Sequence, residues 1–308
     1  MDNIEYVISN SKYVTINKSI IPSIVKLIQK KKHLHWSQYD NFFKNFSEKE
    51  LIIFSIILES LNFCFWPNYN WTKTYKKKEY KGSDALLFTL ISAVECGKLK
   101  LNIDDLCSIS KDEFIELFKS NDELPILMDE RYESFSSSMN VIKKDNKFWE
   151  KLYLINKDIE LEMFISKNFS SFNDYVEYKN KKIVFNKRCR LLVSDMFYVS
   201  KIIKNNIGNI DNIKGCSDYS LPRYFREIGL FCYTNELSNL IDNEIELKYG
   251  SEYEVEIRAA TIYALELIKI ELKKKNIKIN SIELDNILWH ISRNNRISKP
   301  HHTISIYY

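Results

Sequence analysis

Hydrophobic positions recur along most of the chain with the spacing of an amphipathic helix. Residues 20–31 place apolar side chains on one face, and residues 83–96 do so until Gly97, a usual place for the left-handed residue that ends a helix. The longest regular pattern predicts a helix over residues 252–274, and a short last helix is predicted over residues 286–292. Helices therefore dominate the predicted fold.

Two helix starts carry a capping box, in which a serine and a glutamate three residues later satisfy each other's backbone N–H groups. Ser47 and Glu50 have this spacing before the apolar run 51–58, and Ser110 and Glu113 repeat it. Each pair predicts where a helix begins.

Strand signals are few. Residues 175–178 and 183–185 flank the polar sequence KNKK, which predicts a β-hairpin, and a weaker pattern near Tyr6 and Val14 predicts a second one. The sequence has only six glycines and five prolines, and no segment has the composition of a linker. We therefore expect one domain over residues 1–308, mainly α with small β-hairpin additions.

Charge and composition exclude several classes of protein. The net charge of +4, from 45 basic and 41 acidic residues, is too small to favour duplex nucleic acid as a partner. A membrane span needs about 20 apolar residues, and the longest apolar run, residues 51–58, is much shorter. Six cysteines without a CxxC pair are typical of a reduced, cytoplasmic protein.

The common cofactor motifs do not occur in the sequence, which has no GxGxxG, no phosphate-binding P-loop and no GxSxG elbow. Among the five histidines, His33 and His35 lie close together, as do His301 and His302, but no HExxH accompanies them. Dinucleotide and P-loop functions therefore lose their main support, and we expect no metal site.

The aromatic-rich stretch LNFCFW, residues 61–66, admits two interpretations. It follows the predicted buried helix, so Phe63 and Trp66 either pack in the core or form a stacking wall for a flat heterocycle. In the second case Asn62 would be a polar anchor. On this stretch alone, core packing is the more usual outcome.

The stretch FNKRCRLLVSD, residues 185–195, places Lys187, Arg188 and Arg190 at the start of an apolar helix. Cations at a helix N-terminus oppose the helix dipole unless an anion lies beside them. Backbone N–H groups together with forked donors suit a phosphate. An equally supported explanation is that these three cations form salt bridges at the surface.

A later helix carries several acids. Glu254 and Arg258 have the i, i+4 spacing of a helical ion pair. Alternatively, Glu252, Glu254 and Glu256 form the negative wall of a pocket.

The stretch DYSLPRYFREIGL, residues 218–230, places an acid and a tyrosine before a proline and an amphipathic run. Asp218 has the position of an N-terminal helix cap, and a carboxylate there can also face a ligand. The pattern alone leaves both roles open.

Taken in order, these stretches resemble the motifs of the queuosine salvage protein family over roughly residues 35–308. The segments that carry the resemblance are LNFCFW (61–66), YKGSDALL (80–87), LPILMDER (124–131), NKRCRLLVSD (186–195), CSDYSLPRYFREIGLFCY (216–233), YGSEYEVEIRAATIYALELI (249–268), ILWH (287–290) and the closing IYY.

The resemblance implies a mostly helical fold similar to helix-hairpin-helix DNA glycosylases. It implies hydrolysis of queuosine 5′-monophosphate to queuine and ribose 5-phosphate, without a metal or organic cofactor. We expect a cytoplasmic monomer whose partner is this small-molecule substrate, and which binds neither duplex nucleic acid nor a membrane.

The family's catalytic aspartate corresponds to Asp218. Cleavage of an N-glycosidic bond builds positive charge on the ribose, which a carboxylate stabilises. The resemblance implies that the base contacts His35 and stacks on aromatic rings. It also implies that cationic side chains bind the 5′-phosphate. The predicted substrate-binding residues are His35, Phe63, Trp66, Lys187, Arg188, Cys216, Tyr219, Trp289, His290 and Asn294.

The chain departs from the family pattern at several of these positions. Cys216 replaces a frequent aromatic residue, and Arg190 and Arg223 replace glutamines. After Trp289, His290 and Asn294 stand where the family commonly has acids. These departures affect how the cationic amine and the diol of queuine would be bound, and they affect the expected reaction type less.

Two rival functions follow from the sequence. A non-catalytic helical carrier of queuine or its nucleotide would use Asp218 only as a cap. A DNA glycosylase is disfavoured by the modest charge and by the lack of a glycine-bearing hairpin for duplex phosphates.

Overall fold

The computed structural model describes residues 3–29, 31–38, 41–66, 71–120, 123–293 and 297–308. This part of the chain is mostly helical with small two-stranded sheets, which confirms the predicted class. Its helices are α1 (Asn3–Ser9), α2 (Ile21–Ile28), α3 (Glu48–Leu61), α4 (Gly82–Glu95), α5 (Ile103–Ser108), α6 (Lys111–Phe118), α7 (Met128–Lys144), α8 (Phe148–Tyr153), α9 (Asp158–Asn168), α10 (Lys187–Val199), α11 (Lys201–Ile207), α12 (Ser220–Glu227), α13 (Asn235–Asp242), α14 (Glu252–Lys274) and α15 (Ser281–Ser292). Its strands are β1 (Val14–Ile16), β2 (Thr72–Tyr75), β3 (Lys78–Lys81), β4 (Tyr175–Tyr178), β5 (Lys181–Val184) and β6 (Phe231–Tyr233).

Local sequence signals set most helix limits. The predicted capping boxes begin α3 and α6. Helix α14 has the predicted limits, and α4 ends just before Gly97, whose φ is 74°. Helix α2 is shorter than predicted. Helix α15 begins earlier than predicted, because Asn280 and Glu283 form a third capping box.

The hairpin prediction holds at one place and is wrong at the other. Strands β4 and β5 pair as an antiparallel hairpin, and Lys179 and Asn180 in its turn have positive φ, as tight two-residue hairpin turns require. Tyr6, by contrast, lies in α1. Val14 in β1 pairs with Tyr233 in β6, so the second predicted hairpin does not form.

The described chain divides into two compact units, each assembled from separate stretches of sequence. The first unit comprises Met1–Leu34, Asp174–Arg190 and Ile210–Ile304. The second comprises His35–Asn173, Leu191–Asn209 and Ser305–Tyr308. The expectation of one domain over the whole chain stays a prediction.

Helix α14 forms the centre of the first unit because it is apolar on more than one face. One face packs with α2, α12 and α15, through residues such as Ile257, Ala260 and Leu265. Another face packs with α1 and the β4–β5 hairpin, through Val255 and Ala259. A helix with apolar residues on several faces is buried rather than lying at the surface.

The second unit packs around α3, which is buried along nearly all of its length from Ile52 to Leu61. Helix α7 lies against it, and Ser134 donates a 2.7 Å hydrogen bond to the carbonyl of Ser60. Within the described ranges, no helix is both long enough and apolar enough to cross a membrane.

Candidate functional site

The turn before α12 holds Asp218 by one carboxylate oxygen. Its Oδ1 accepts the backbone N–H of Ser220 at 2.7 Å and that of Leu221 at 3.4 Å. The side chain is half-buried, and Oδ2 has no hydrogen-bond partner among the described residues. Asp218 therefore satisfies the first two N–H groups of α12 with one oxygen, from the position before the N-cap residue Tyr219, and leaves the other oxygen available.

The segment that leads to Asp218 lies close to the core of the first unit. A Cβ atom on Gly215 would come within 2.3 Å of Leu265 Cδ1, so only glycine fits without displacement. The Gly215 carbonyl accepts a 2.9 Å hydrogen bond from Nη1 of the buried Arg190. Glycine thus lets this segment approach α14, and Arg190 holds it.

Asp285 on α15 is the second acid of this region. Its Oδ2 accepts the backbone N–H of Cys216 at 2.6 Å. Burial raises the pKa of Asp285 to about 8, helped by the negative charge of Asp218 and opposed by Lys187 and Arg190. Three charged side chains of the first unit therefore act on Asp285.

The three cations at the start of α10 are buried, which rules out the surface-salt-bridge alternative. Lys187, Arg188 and Arg190 expose only 7%, 1% and 5% of their surface. The Sγ–H of Cys216 lies 3.5 Å from the Lys187 carbonyl and donates to it. Buried cations at a helix N-terminus are costly unless anionic groups accompany them.

A buried ion pair supports the residues just before these cations. Phe185 and Asn186 both donate their backbone N–H to the carbonyl of Asp174. The Asp174 carboxylate in turn accepts from Arg258 and from the hydroxyl of Tyr249. Asn186 has a φ of 49°, a left-handed conformation that asparagine tolerates well.

The acids of α14 have partners inside the first unit. Glu254 pairs with Arg258 at 3.4 Å, which confirms the predicted ion pair. Glu256 accepts the backbone N–H groups of Lys12 and Tyr13 and the hydroxyl of Tyr178. These carboxylates hold the fold together, so they do not form the alternative negative pocket wall.

The end of α15 carries Trp289 and His290, both half-buried, with ring centroids 5.0 Å apart. The guanidinium of Arg293 lies 4.6 Å from the Trp289 ring centroid. Arg223 on α12 donates to the carbonyl of Ser292 and pairs with its neighbour Glu227 at 3.1 Å. The predicted residue Asn294 lies outside the described residues.

Phe63 of the aromatic stretch is a core residue of the second unit. It is fully buried, and the guanidinium of Arg131 lies 4.4 Å from its ring centroid. Arg131 also donates to the carbonyls of Ile126, Leu61, Phe63 and Cys64. The core-packing alternative therefore describes Phe63, whereas Trp66 is half-buried.

Other polar contacts of this stretch are also internal to the second unit. Asn62, the polar anchor of the second interpretation, donates to Glu59 at 3.1 Å within this unit. The N–H of Cys64 donates to the carbonyl of Tyr308, which ties the closing residues to the stretch. Stacking by Phe63 or Trp66 stays a prediction.

His35 is buried in the second unit in a hydrogen-bonded group with Asp195. The Nδ1 atom accepts the backbone N–H of Ser37 at 3.3 Å, so Nε2 carries the proton and donates to Asp195 Oδ1 at 3.0 Å. The indole N–H of Trp36 donates to the same oxygen at 2.8 Å. Burial lowers the pKa of His35 to about 3 and raises that of Asp195 well above its usual value. His35 is therefore neutral, and its contact with a base stays a prediction.

The structure thus brings some predicted residues together in the first unit and places others in the second unit. Asp218, Lys187 and Cys216 share one region of the first unit with Asp285 and Arg190. Arg188 and Tyr219 are their neighbours in sequence. His35, Phe63 and Trp66 belong to the second unit. In the described part of the chain, no group of three or more potential ligands is arranged to hold a metal ion.

Sequence reasoning missed two acids with partners here, Asp285 and Asp195. Each is a single acid within an apolar helical run, LDNILW for Asp285 and LLVSDMF for Asp195. A lone acid in such a run is a signal, because an ionisable group near a core needs a specific partner.

Comparison with known proteins places these residues in a family context. The sequence model of the family described as "Queuosine salvage protein" matches residues 43–308. A mouse (Mus musculus) protein named queuosine 5′-phosphate N-glycosylase/hydrolase is 30% identical over 281 residues, 82% of this chain and 80% of its own. A bovine (Bos taurus) protein of the same name is 27% identical over 343 aligned residues, with 100% of this chain and 98% of its own covered. A third, from Sphaerobacter thermophilus, is 27% identical over 84% of this chain and 78% of its own.

Proposed function

The chain belongs to the queuosine salvage protein family, and on this premise we propose that it hydrolyses queuosine 5′-monophosphate to queuine and ribose 5-phosphate. The observation that carries the proposal is the family match over residues 43–308, which includes Asp218 and the residues around it. Relatives that carry the corresponding name cover most of this chain. The reaction is an N-glycosidic hydrolysis that supplies queuine for tRNA modification.

Asp218 is the catalytic carboxylate in this proposal. The N–H groups of Ser220 and Leu221 orient it through Oδ1. Its other oxygen is then directed at the ribose, where positive charge develops as the bond to the base breaks. The same carboxylate can orient the attacking water. A group in this role contributes typically about 10²–10⁴ in rate.

The cations at the start of α10 would bind the 5′-phosphate. Lys187 and Arg188 are buried at the N-terminus of a helix, where backbone N–H groups and side-chain donors favour an anion. Asp174 and its partner Arg258 hold the preceding residues in place. The phosphate would thereby anchor the substrate near Asp218.

The leaving base is a 7-deazaguanine, which has carbon where guanine has N7. The usual protonation site is missing, so stacking and hydrogen bonds to the base edge must stabilise its departure. We assign this role to Tyr219 and Cys216 of the first unit, while base contacts by His35 and Trp66 of the second unit stay predictions. Further contacts to the queuine side chain are assigned to Trp289, His290 and Asn294.

The proposal also covers the fold type, the compartment, the oligomeric state and the cofactor requirement. The helical architecture would be of the helix-hairpin-helix DNA glycosylase type, and the protein would act as a cytoplasmic monomer without a cofactor. The net charge of only +4 suits an enzyme for a free nucleotide rather than for duplex DNA.

The first experiment incubates the purified protein with queuosine 5′-monophosphate and measures free queuine by mass spectrometry. Asp218→Asn is the matched variant, because asparagine caps a helix about as well as aspartate and costs little stability. We expect release by the wild type and a loss of at least about 10² in the folded variant. Equal release by both would move the catalytic role away from Asp218.

A carrier of queuine nucleotide is the second candidate, and one observation favours it. Oδ1 of Asp218 accepts two N–H groups at the start of α12, which is a structural role that a non-catalytic protein would also use. Tight binding of the nucleotide with no queuine release by either protein would support the carrier. A DNA duplex included in the same assay tests the glycosylase alternative.

A further inference from the structure

Two opposite charges on α12, Arg223 and Glu227, form an ion pair in the first unit. The Arg223 Nη1 atom lies 3.1 Å from Glu227 Oε2, and the two side chains are only 7% and 11% exposed. A buried ion pair is by itself weak evidence for stability, because withdrawing both charges from water costs about as much as their attraction returns. The further contacts of the two side chains indicate what the pair does.

Arg223 binds the end of α15. Its Nη2 atom donates a hydrogen bond to the carbonyl of Ser292, the last residue of that helix. Carbonyls in the last turn of a helix have no partner within it, and a cation beside them is favoured by the helix dipole. Arg223 thus holds the end of α15 against α12.

Glu227 binds the chain that follows this helix. Its Oε2 atom accepts the backbone N–H groups of Ile297 at 3.2 Å and Ser298 at 3.4 Å, in addition to the guanidinium of Arg223. The end of α15 and the residues after it are therefore held by the same ion pair. Because Arg223 balances the charge of Glu227, the pair adds no net charge, and its effect on a ligand is through geometry.

The pair connects two parts of the proposed site. Helix α12 begins two residues after Asp218, and Arg223 is in its first turn. Trp289 and His290 are in the last turn of α15, with ring centroids 5.0 Å apart. Both residues are half-buried, so part of each side chain is accessible. A movement of the end of α15 relative to α12 would therefore move these two rings relative to Asp218.

We propose that Arg223 and Glu227 are positioning residues that hold the end of α15 so that it recognises the side chain of queuine rather than its 7-deazaguanine ring. This inference rests on the proposed function, which assigns that side chain to Trp289 and His290. The side chain carries a cationic amine and a diol. An indole ring attracts a cation, and imidazole nitrogens can bond to hydroxyl groups. The Trp289 ring already has a cation beside it, because the Arg293 guanidinium lies 4.6 Å from its centroid.

The test measures the binding of two free bases, queuine and 7-deazaguanine, by calorimetry. The second base has the same ring system without the side chain, and we expect the wild type to bind queuine more tightly. Arg223→Met keeps an unbranched side chain but removes the hydrogen-bond donors. Its Kd for queuine should rise at least about tenfold, the loss expected when one hydrogen bond to a charged amine is no longer made. Its Kd for 7-deazaguanine should change less than about twofold, because that ring does not depend on the end of α15.

Glu227→Gln is a milder variant for the same test. Glutamine keeps an oxygen that can accept the N–H groups of Ile297 and Ser298, and it loses only the charge. It should weaken queuine binding in the same direction but less than Arg223→Met does. The double variant should lose no more queuine affinity than Arg223→Met alone, since the two residues act through one ion pair.

The matched control is Arg226→Met on the same helix. Arg226 pairs with Asp242, which ends α13 rather than α15, and the pair is more exposed. This variant should keep the wild-type Kd for both bases. The proposal would be overturned by a wild type that does not prefer queuine, or by an equal change of both Kd values in Arg223→Met, which would indicate a general structural role. Queuine binding by Arg223→Met as tight as that of the wild type would overturn it too.

Turnover separates this inference from the proposed reaction. With queuosine 5′-monophosphate, Arg223→Met should raise KM at least about tenfold and leave kcat within about twofold, because it removes binding shared by substrate and transition state. Queuine release with an unchanged base preference in the variants would overturn the inference alone. If no queuine is released but the base preference depends on Arg223, the reaction is wrong and the positioning role stands.

Discussion

Arg258 and Asp174 form an ion pair whose side chains are 0% and 2% exposed in the first unit. The pair joins the middle of α14 to the residue that accepts the N–H groups of Phe185 and Asn186. Lys187 follows directly. The position of the proposed phosphate-binding residues therefore depends on a buried ion pair to which they themselves do not contribute.

Replacing Arg258 with methionine should strongly lower the free energy of unfolding, because it leaves Asp174 and Glu254 buried without their cation. Breaking a buried pair in this way typically costs about 3–5 kcal/mol. The matched change is Arg226→Met, which breaks the more exposed pair with Asp242 and should cost under about 1 kcal/mol. Urea unfolding of both variants checks this, and similar losses would show that burial of the pair is unimportant.

Arg131 should contribute as much to the stability of the second unit as Arg258 does to that of the first. Its guanidinium donates to four carbonyls around the end of α3, and methionine would leave these acceptors unsatisfied. Since each buried unsatisfied group costs about 1–3 kcal/mol, we expect Arg131→Met to lose at least about 3 kcal/mol in urea unfolding. Lys143→Met, an exposed cation on the same helix, is the control and should be nearly neutral. A loss no larger than that of the control would refute the structural role of Arg131.

Gly215→Ala tests the close approach beside the site. The added methyl would collide with Leu265, which is fully buried, so overpacking should cost about 1–3 kcal/mol. The shift of Cys216–Asp218 should also lower queuine release at least about tenfold, because small misplacements of catalytic groups are costly. Urea unfolding and queuine release are both measured on one preparation of the variant.

The double variant Gly215→Ala, Leu265→Ala supplies the control for this prediction. Removing the colliding side chain should make the double variant more stable than the sum of the single losses predicts. Strict additivity of the two losses would mean that the residues do not meet as the structure shows.

The buried histidines predict how stability depends on pH. Burial, with the charges of Arg258 and His302, lowers the pKa of His301 to about 3, and burial lowers that of His302 as well. Below pH 6.5 the unfolded chain takes up protons that the folded protein excludes, so stability should fall with pH by up to about 1.4 kcal/mol per unit for each histidine. Urea unfolding between pH 7 and pH 5 should give a shallower slope for His301→Gln than for the wild type. Parallel slopes would count against a neutral, buried His301.

Features that depend on neighbouring residues could be predicted from the sequence. Ser47 with Glu50, and Ser110 with Glu113, begin helices because a capping box is complete within four residues. The limits of α14 and the β4–β5 hairpin follow from equally local patterns. The contacts of Asp218 with the N–H groups of Ser220 and Leu221 are equally local, although the N-cap position itself is Tyr219.

Features that depend on distant residues could not be predicted. Val14 pairs with Tyr233, and no local pattern near either residue indicates the other. The partners of Asp285 come from residues near 187, 190 and 216–218, and those of Asp195 from residues 35 and 36. Motif resemblance pointed to Asp218 but gave no reason to examine Asp285, whose contact with Cys216 arises only in the folded chain.

The discontinuous make-up of the first unit has a consequence for synthesis of the chain. The apolar face of α2, formed by Ile21, Ile24, Val25 and Ile28, is covered by residues between 221 and 288. At about 5–20 residues per second, the nascent chain carries this face without its partners for some tens of seconds. Since non-local contacts also form slowly, α2 is the stretch where a chaperone or a wrong partner has the longest opportunity to bind.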